Sequence, residues 1–246
     1  MFGYGVDKRV IYIVFAILAV WALSSMTSSE WIELLLTVPA VLIAITFHEF
    51  AHANAADKLG DTTPRNQGRL TLNPIAHIDP FGLILLMFAH IGWGKPVQIN
   101  PNNFVNTNKS RSFCESMVAL AGPLMNFFLA IVSCFAYVII FKSNPSIIGS
   151  TNGSILMTFL NYLIVINIGL GVFNLIPLPP LDGEKIFRNL LPYRVQEWLT
   201  VNYYTLYMVF MILWIFGALE RIVSPVIGVI MNGLFFIVQY LVGFFI

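Results

Sequence analysis

Charge is what this sequence has least of. Asp, Glu, Lys and Arg make up 10% of its 246 residues, where a soluble domain carries roughly 25%. With 58% hydrophobic residues and a mean hydropathy of +0.80, the deficit excludes an ordinary soluble domain and implies an integral membrane protein. Net charge is also nearly missing, at +1, so composition points to no nucleic-acid partner. Cysteine is scarce: Cys114 and Cys134 are the only two. On one helix that spacing puts them about 30 Å apart, far outside disulfide reach, so they read as small buried hydrophobes. Linkers, charge runs, low-complexity tracts and internal repeats are absent too. The expectation is a single transmembrane domain over 1–246, with a core at about 31–190.

What is present is a series of apolar runs long enough to cross a bilayer, at about 10–25, 31–58, 113–141, 155–176, 201–219 and 223–246. The fold expected is all-α: a polytopic membrane bundle of about six helices. The first run follows a charged MFGYGVDKRV and resembles a signal peptide, but the topology needs it as a retained span. A shorter run, PFGLILLMFAHIGWG (80–94), ends in glycines between polar loops. It reads as a re-entrant, partly strand-like loop between the second and third spans. Placing the N-terminus inside puts Lys8, Arg9, Lys58, Arg65, Arg69, Lys95, Lys109, Arg111, Lys185, Arg188 and Arg194 inside, and only Lys142 and Arg221 outside. By the positive-inside rule both termini are expected on the cytoplasmic side of the cell membrane.

Four histidines occur in the chain, and two fall in TFHEFAHANA (46–55), within the second apolar pattern. Ionisable side chains there cost a few kcal/mol each on insertion scales, so three within five residues require compensation. His48 and His52, four apart on a helix, share one face and can bind one metal ion. Glu49 projects about 100° around the helix, beside the metal, where it reaches a water rather than the ion. Two ligands and a general base at this spacing are the mechanical content of HExxH. From Trp31 to His48 is about 26 Å along the helix, so the motif lies below the cytoplasmic face and short of the midplane.

A catalytic zinc needs a third protein ligand. The candidates are His77, Asp79, His90, Glu115, Asp182 and Glu184. Two places carry most weight: Asp182 in NLIPLPPLDG (174–183), and His77 or Asp79 in NPIAHIDPFG (73–82). Pro177, Pro179 and Pro180 unwind the backbone after the fourth span, which lets a carboxylate turn back to the depth of the histidines. His77 and Asp79 sit among turn residues before Pro80, where shaping the loop is the simpler role. Glu115 at a helix start is accounted for by the helix dipole.

HEFAH (48–52), NPIAHIDPFG (73–82), GWGKPVQINPNNF (92–104), AGPLMN (121–126) and NLIPLPPLDG (174–183) occur in this order and spacing. Together they resemble the site-2 protease family of intramembrane zinc metalloproteases, in a minimal form with no room for a PDZ or CBS domain. The resemblance runs from about residue 46 to 184. It implies one Zn2+ per chain, held by His48, His52 and Asp182, with Glu49 as catalytic base. It also implies a single-pass membrane-protein substrate, cut within or near its transmembrane segment, in a lipid bilayer. A separate regulatory or adaptor protein is a further expected partner.

Other patterns support this reading. On the third span Ser116, Ala119, Gly122, Asn126 and Ala130 form a small, polar stripe suited to close helix packing. Pro123 should free the Ala119 carbonyl, and Asn126 is a candidate for holding substrate or the oxyanion, or for an interhelical hydrogen bond. Asn167, Gly171 and Asn174 on the fourth span read as packing and polar glue. GWGKPVQIN (92–100) suggests an edge that pairs with unwound substrate, which makes Trp93 and Gly94 candidate substrate contacts, against an interfacial hairpin anchored by Trp93. A metal transporter is the rival class, but no continuous polar path crosses the membrane and Glu49 would be redundant. A non-catalytic scaffold would have little use for a complete set of ligands.

Overall fold

In a computed structural model, residues 20, 24–80, 82, 94–105 and 108–245 are described, and the structural statements below concern these. The expected first span and most of the 80–94 loop, including His90 and Trp93, lie outside the described residues.

The first long helix, α1 (Ser28–Lys58), begins at a capping box: Thr27 and Glu30 each accept from the other's backbone N–H. Next come α2 (Arg111–Ser143), capped by Ser110, and α3 (Thr151–Asn174), capped by Ser150. These hydroxyls accept from Phe113 N and Gly153 N and satisfy donors the helix leaves open. A 3-10 turn over Pro145–Gly149 is the whole link between α2 and α3, so the two run antiparallel. After α3 the chain forms α4 (Asp182–Arg188), α5 (Tyr193–Val201), α6 (Tyr203–Ile215) and α7 (Ala218–Phe245).

Helices α1, α2, α3 and α7 are each long and apolar enough to cross a membrane. The expected 201–219 span takes a different form. Helix α6 has 13 residues, about 20 Å against a hydrocarbon core of about 30 Å. It meets α5 at a bend of 69°, and only the bent pair together would make a fifth span. The architecture is an all-α polytopic bundle. Among the described residues the strand-like loop shows a single antiparallel bridge, Ile78 to Gly94, and no strand.

The core is an α1–α2–α3 packing unit, extended by α7. One apolar cluster joins Ala130, Cys134 and Val138 of α2 to Ile164 and Ile168 of α3 and Val238 and Val242 of α7. Cys134 therefore serves as the small hydrophobe expected. A second cluster, Leu181, Phe210 and Leu219 with Phe173 and Trp214 packed on it, seats the turn before α4 against α6.

Candidate metal centre

Helix α1 turns Ala44, His48, Ala51, His52 and Ala56 towards the bundle, and all are buried. Opposite them α2 offers Val118, Ala119, Gly122 and Asn126, also buried. Small residues on both faces let the helices approach closely. Gly122 is the tightest point: a Cβ there would lie 2.6 Å from Cε1 of His48 and of His52. The two imidazoles thus rest on a bare backbone.

That surface also fixes their protons. Asn126 Nδ2 donates to the Ala44 carbonyl at 3.1 Å and to Asn167 Oδ1 at 2.9 Å, and Asn167 donates in turn to the Leu163 carbonyl. Both amide hydrogens being used, Asn126 can offer His48 only its oxygen, and His48 Nδ1 donates to it at 2.6 Å. His52 Nδ1 donates to the Val118 carbonyl at 2.7 Å, which can only accept. Each Nε2 is left with a free lone pair.

The two lone pairs converge. Nε2 of His48 and Nε2 of His52 are 3.0 Å apart, and each is 3.1 Å from Asp182 Oδ2. Three acceptor atoms at such separations repel one another unless a cation lies among them. Tetrahedral zinc at roughly 2.0–2.1 Å from its ligands holds them about 3.3 Å apart. The donor set and its spacing fit zinc.

Asp182 arrives there because the chain after Asn174 cannot continue as helix through Pro177, Pro179 and Pro180. It folds into turns, with Leu178 N on the Ile176 carbonyl and Leu181 N on the Leu178 carbonyl. Helix α4 then starts at Asp182. Gly183 permits this return, since a Cβ there would strike the carbonyls of Leu175 and Ile176.

Glu49, Val97, Asn174 and Asp182 line one cavity of about 330 Å³ with the two histidines. Glu49 Oε2 accepts from the Val97 N–H at 2.8 Å. The other third-ligand candidates fall elsewhere. His77 Nε2 is 2.8 Å from the Thr71 carbonyl, Asp79 accepts from Gly82 N in a turn, and Glu184 pairs with Arg188 at 3.3 Å. Glu115 is on the cavity wall but outside the triad.

Two lower-weight candidates sit at the edge of this centre. Asn126 is fully buried, both its amide hydrogens are bonded within the bundle, and its oxygen orients His48. Gly94 lies against Ile45 and the His77 carbonyl, beside its bridge to Ile78. Pro96, Val97 and Ile99 take the cavity wall. Near Pro123 the carbonyl that His52 uses is that of Val118. Sequence reasoning missed Gly122 as the seat of the imidazoles, although its place one turn before Asn126 was a usable signal.

Comparison with known proteins meets this geometry. The family description "Peptidase family M50", the site-2 protease family, matches residues 36–216. The chain belongs to peptidase family M50. It is 38% identical over 178 residues to the protein named "Putative zinc metalloprotease YwhC" of Bacillus subtilis (strain 168), covering 72% of this chain and 79% of that one. It is 31% identical over 152 residues to Rip2 of Mycolicibacterium smegmatis, covering 61% of this chain and 54% of the relative, about half its length. MJ0611 of Methanocaldococcus jannaschii is 26% identical over 209 residues, 85% of this chain and 96% of that one. Rip2 and MJ0611 carry the same printed designation as YwhC. No solved structure matches. This M50 chain is a zinc metalloprotease and a multi-pass membrane protein.

Proposed function

We propose that this M50 peptidase hydrolyses a peptide bond within or near the transmembrane segment of a single-pass membrane protein, in regulated intramembrane proteolysis. The observation that carries the reading is the His48–His52–Asp182 triad, converging within 3.1 Å beside Glu49, with both histidines on the membrane-length helix α1. His48, His52 and Asp182 hold one zinc ion. When bound, zinc supplies Lewis acidity to the attacking water and the scissile carbonyl. Glu49 takes the proton from that water and returns it to the leaving nitrogen. Asn126 and the Val118 carbonyl keep both imidazoles in the tautomer that points Nε2 at the ion.

A helical substrate hides its peptide bonds, so it must unwind to be cut. Pro96, Val97 and Ile99 on the cavity wall would receive such an unwound stretch by backbone pairing. Trp93, just before this wall, stays a candidate substrate contact. The chain acts as one domain in the cell membrane, with both termini cytoplasmic and the cavity opening to that side. The surrounding partners are the lipid bilayer and a separate regulatory or adaptor protein; no nucleic acid takes part.

Glu49→Gln tests the mechanism. We expect the variant to keep near-stoichiometric zinc while losing cleavage by about 10²–10⁴-fold, the usual size of acid–base catalysis. Membrane fragments stabilised in wild-type but not Glu49→Gln cells, found by proteomics, would name the substrate class. Surviving cleavage, or zinc retained after His48→Ala, would sink the reading.

A further inference from the structure

The metal centre makes no direct use of a second buried carboxylate, Asp61, which follows the end of α1 and is fully buried. No cation pairs with it among the described residues. Instead it accepts four hydrogen bonds: from Thr63 N at 3.1 Å, Thr63 Oγ1 at 2.5 Å, Asn100 N at 2.7 Å and Asn103 Nδ2 at 2.9 Å. Three of these bonds end on Oδ1 and that of Asn100 on Oδ2, so both oxygens of the carboxylate are engaged. Two of its donors are local and two come from the chain that leads away from the cavity wall. Val105 N donates to the Leu59 carbonyl and completes this seam.

That wall, Lys95–Asn100, has no regular secondary structure of its own. It is fastened from the 61–77 side at four places. Lys95 N donates to the His77 carbonyl at 2.8 Å, and Arg69 Nη2 to the Pro96 carbonyl at 3.3 Å. Gln67 Nε2 donates to Gln98 Oε1 at 2.9 Å, and Asn100 N meets Asp61. Arg69 is itself only 6% exposed. Midway along the segment, the Val97 N–H reaches Glu49. The register matters because Val97 follows Pro96. A slip of one residue in the direction that brings Pro96 to Glu49, about 3.3 Å of extended chain, would present a proline with no N–H to give.

We propose that Asp61 and Arg69 are positioning residues for the peptidase reaction: they set the register of Lys95–Asn100 so that the Val97 amide holds the Glu49 carboxylate on the cavity wall. The inference rests on Glu49 being the general base. Asp61 and Arg69 are neither metal ligands nor cavity-lining residues; Arg69 reaches the wall only through the Pro96 carbonyl. Their effect passes through the backbone, from Asn100 and Pro96 to Val97 and from Val97 to Glu49.

Amide hydrogen exchange on the purified, zinc-loaded full chain tests this without any substrate. Asp61→Asn and Arg69→Met should each speed exchange of the Val97 amide by about tenfold, as local opening gains ground over one lost fastening. Protection along α2 and zinc content should stay at wild-type values. Glu49→Ala should speed Val97 with Asn100 unchanged. Arg69→Met keeps the test alive should Asp61→Asn fail to fold. A folded variant in which Val97 stays protected while Asn100 alone exchanges faster overturns the proposal. On a cleaved membrane substrate, kcat should fall at unchanged zinc content, and in a Val97→Pro background Asp61→Asn should lower kcat no further. An additive loss there overturns the proposal as well. A wild-type chain that cleaves nothing would instead count against the peptidase mechanism, and the exchange result would stand apart from it.

Discussion

Asn126 Oδ1 lies 2.6 Å from His48 Nδ1, and the direction of that hydrogen bond is set two residues further out. The Leu163 carbonyl orients Asn167, Asn167 and Ala44 orient Asn126, and Asn126 leaves His48 one tautomer. Three helices are tied together by the same chain of bonds that aims a ligand.

Removing the acceptor should therefore weaken metal binding more than the fold. Asn126→Leu is expected to lower zinc affinity by about 10–100-fold, the usual effect of losing a ligand's outer partner. Asn167→Leu should cost less, because the Ala44 carbonyl still orients the Asn126 amide. Chelator competition on the purified variants gives both numbers. Equal affinities for wild type and Asn126→Leu would remove Asn126 from the centre.

Gly122→Ala should act on the same centre by crowding. The new methyl meets both imidazoles and cannot be relieved by rotating a flexible side chain. Overpacking of this kind costs about 1–3 kcal/mol. The loss should fall mainly on the zinc-loaded state, because the rings must leave the positions that face Asp182. Zinc raises the melting temperature of a protein that binds it only when folded. We expect that rise to shrink sharply in Gly122→Ala; a zinc-induced shift as large as in wild type would show that the rings still fit.

Gly183→Ala separates the third ligand from the first two. Its methyl would collide with the Leu175 and Ile176 carbonyls and push α4 off its turn, taking Asp182 with it. His48 and His52, on α1, should stay in place. The variant is expected to bind zinc as weakly as Asp182→Ala, and the double variant no more weakly than either, since both act on one contact. Additive losses in zinc affinity would mean that Gly183 has a separate role.

These residues differ in how far the sequence discloses them. His48, Glu49 and His52 were legible because helical periodicity alone places them, and α1 runs unbroken through all three. Asp182 was half legible: the prolines announced an unwound segment, but its return to the histidines depends on Gly183 and on the apolar seat at Leu181, Phe210 and Leu219. Asn126 was visible as part of a stripe, yet its role turns on which neighbours take its amide hydrogens, and those lie on two other helices. The Val97 amide and the Val118 carbonyl were invisible, since a backbone group carries no residue identity. The 201–219 run differs in another way: its apolar residues form α6, which ends at Ile215, and the chain enters it from α5 through a turn of 69° at Asn202, a bend that hydropathy does not mark.

Asp61 gives the pH dependence its sign. Burial alone would raise its carboxyl, but the hydrogen bonds from Thr63, Asn100 and Asn103 outweigh that and hold it below the ordinary carboxylate value. A group lowered in the folded state stabilises the fold fully above its unfolded value, about pH 3.9, and loses that contribution as pH falls through the folded one. Asp61→Asn has no carboxylate to titrate at this position. Wild type should therefore be the more stable protein at neutral pH, and its advantage should narrow as pH falls below about 4. Thermal unfolding of both, zinc-free and in the same detergent from pH 7 to pH 3, reads that difference with the other carboxylates cancelled. A gap in melting temperature that stays constant down to pH 3 would mean that Asp61 is not the charged acceptor its four donors require.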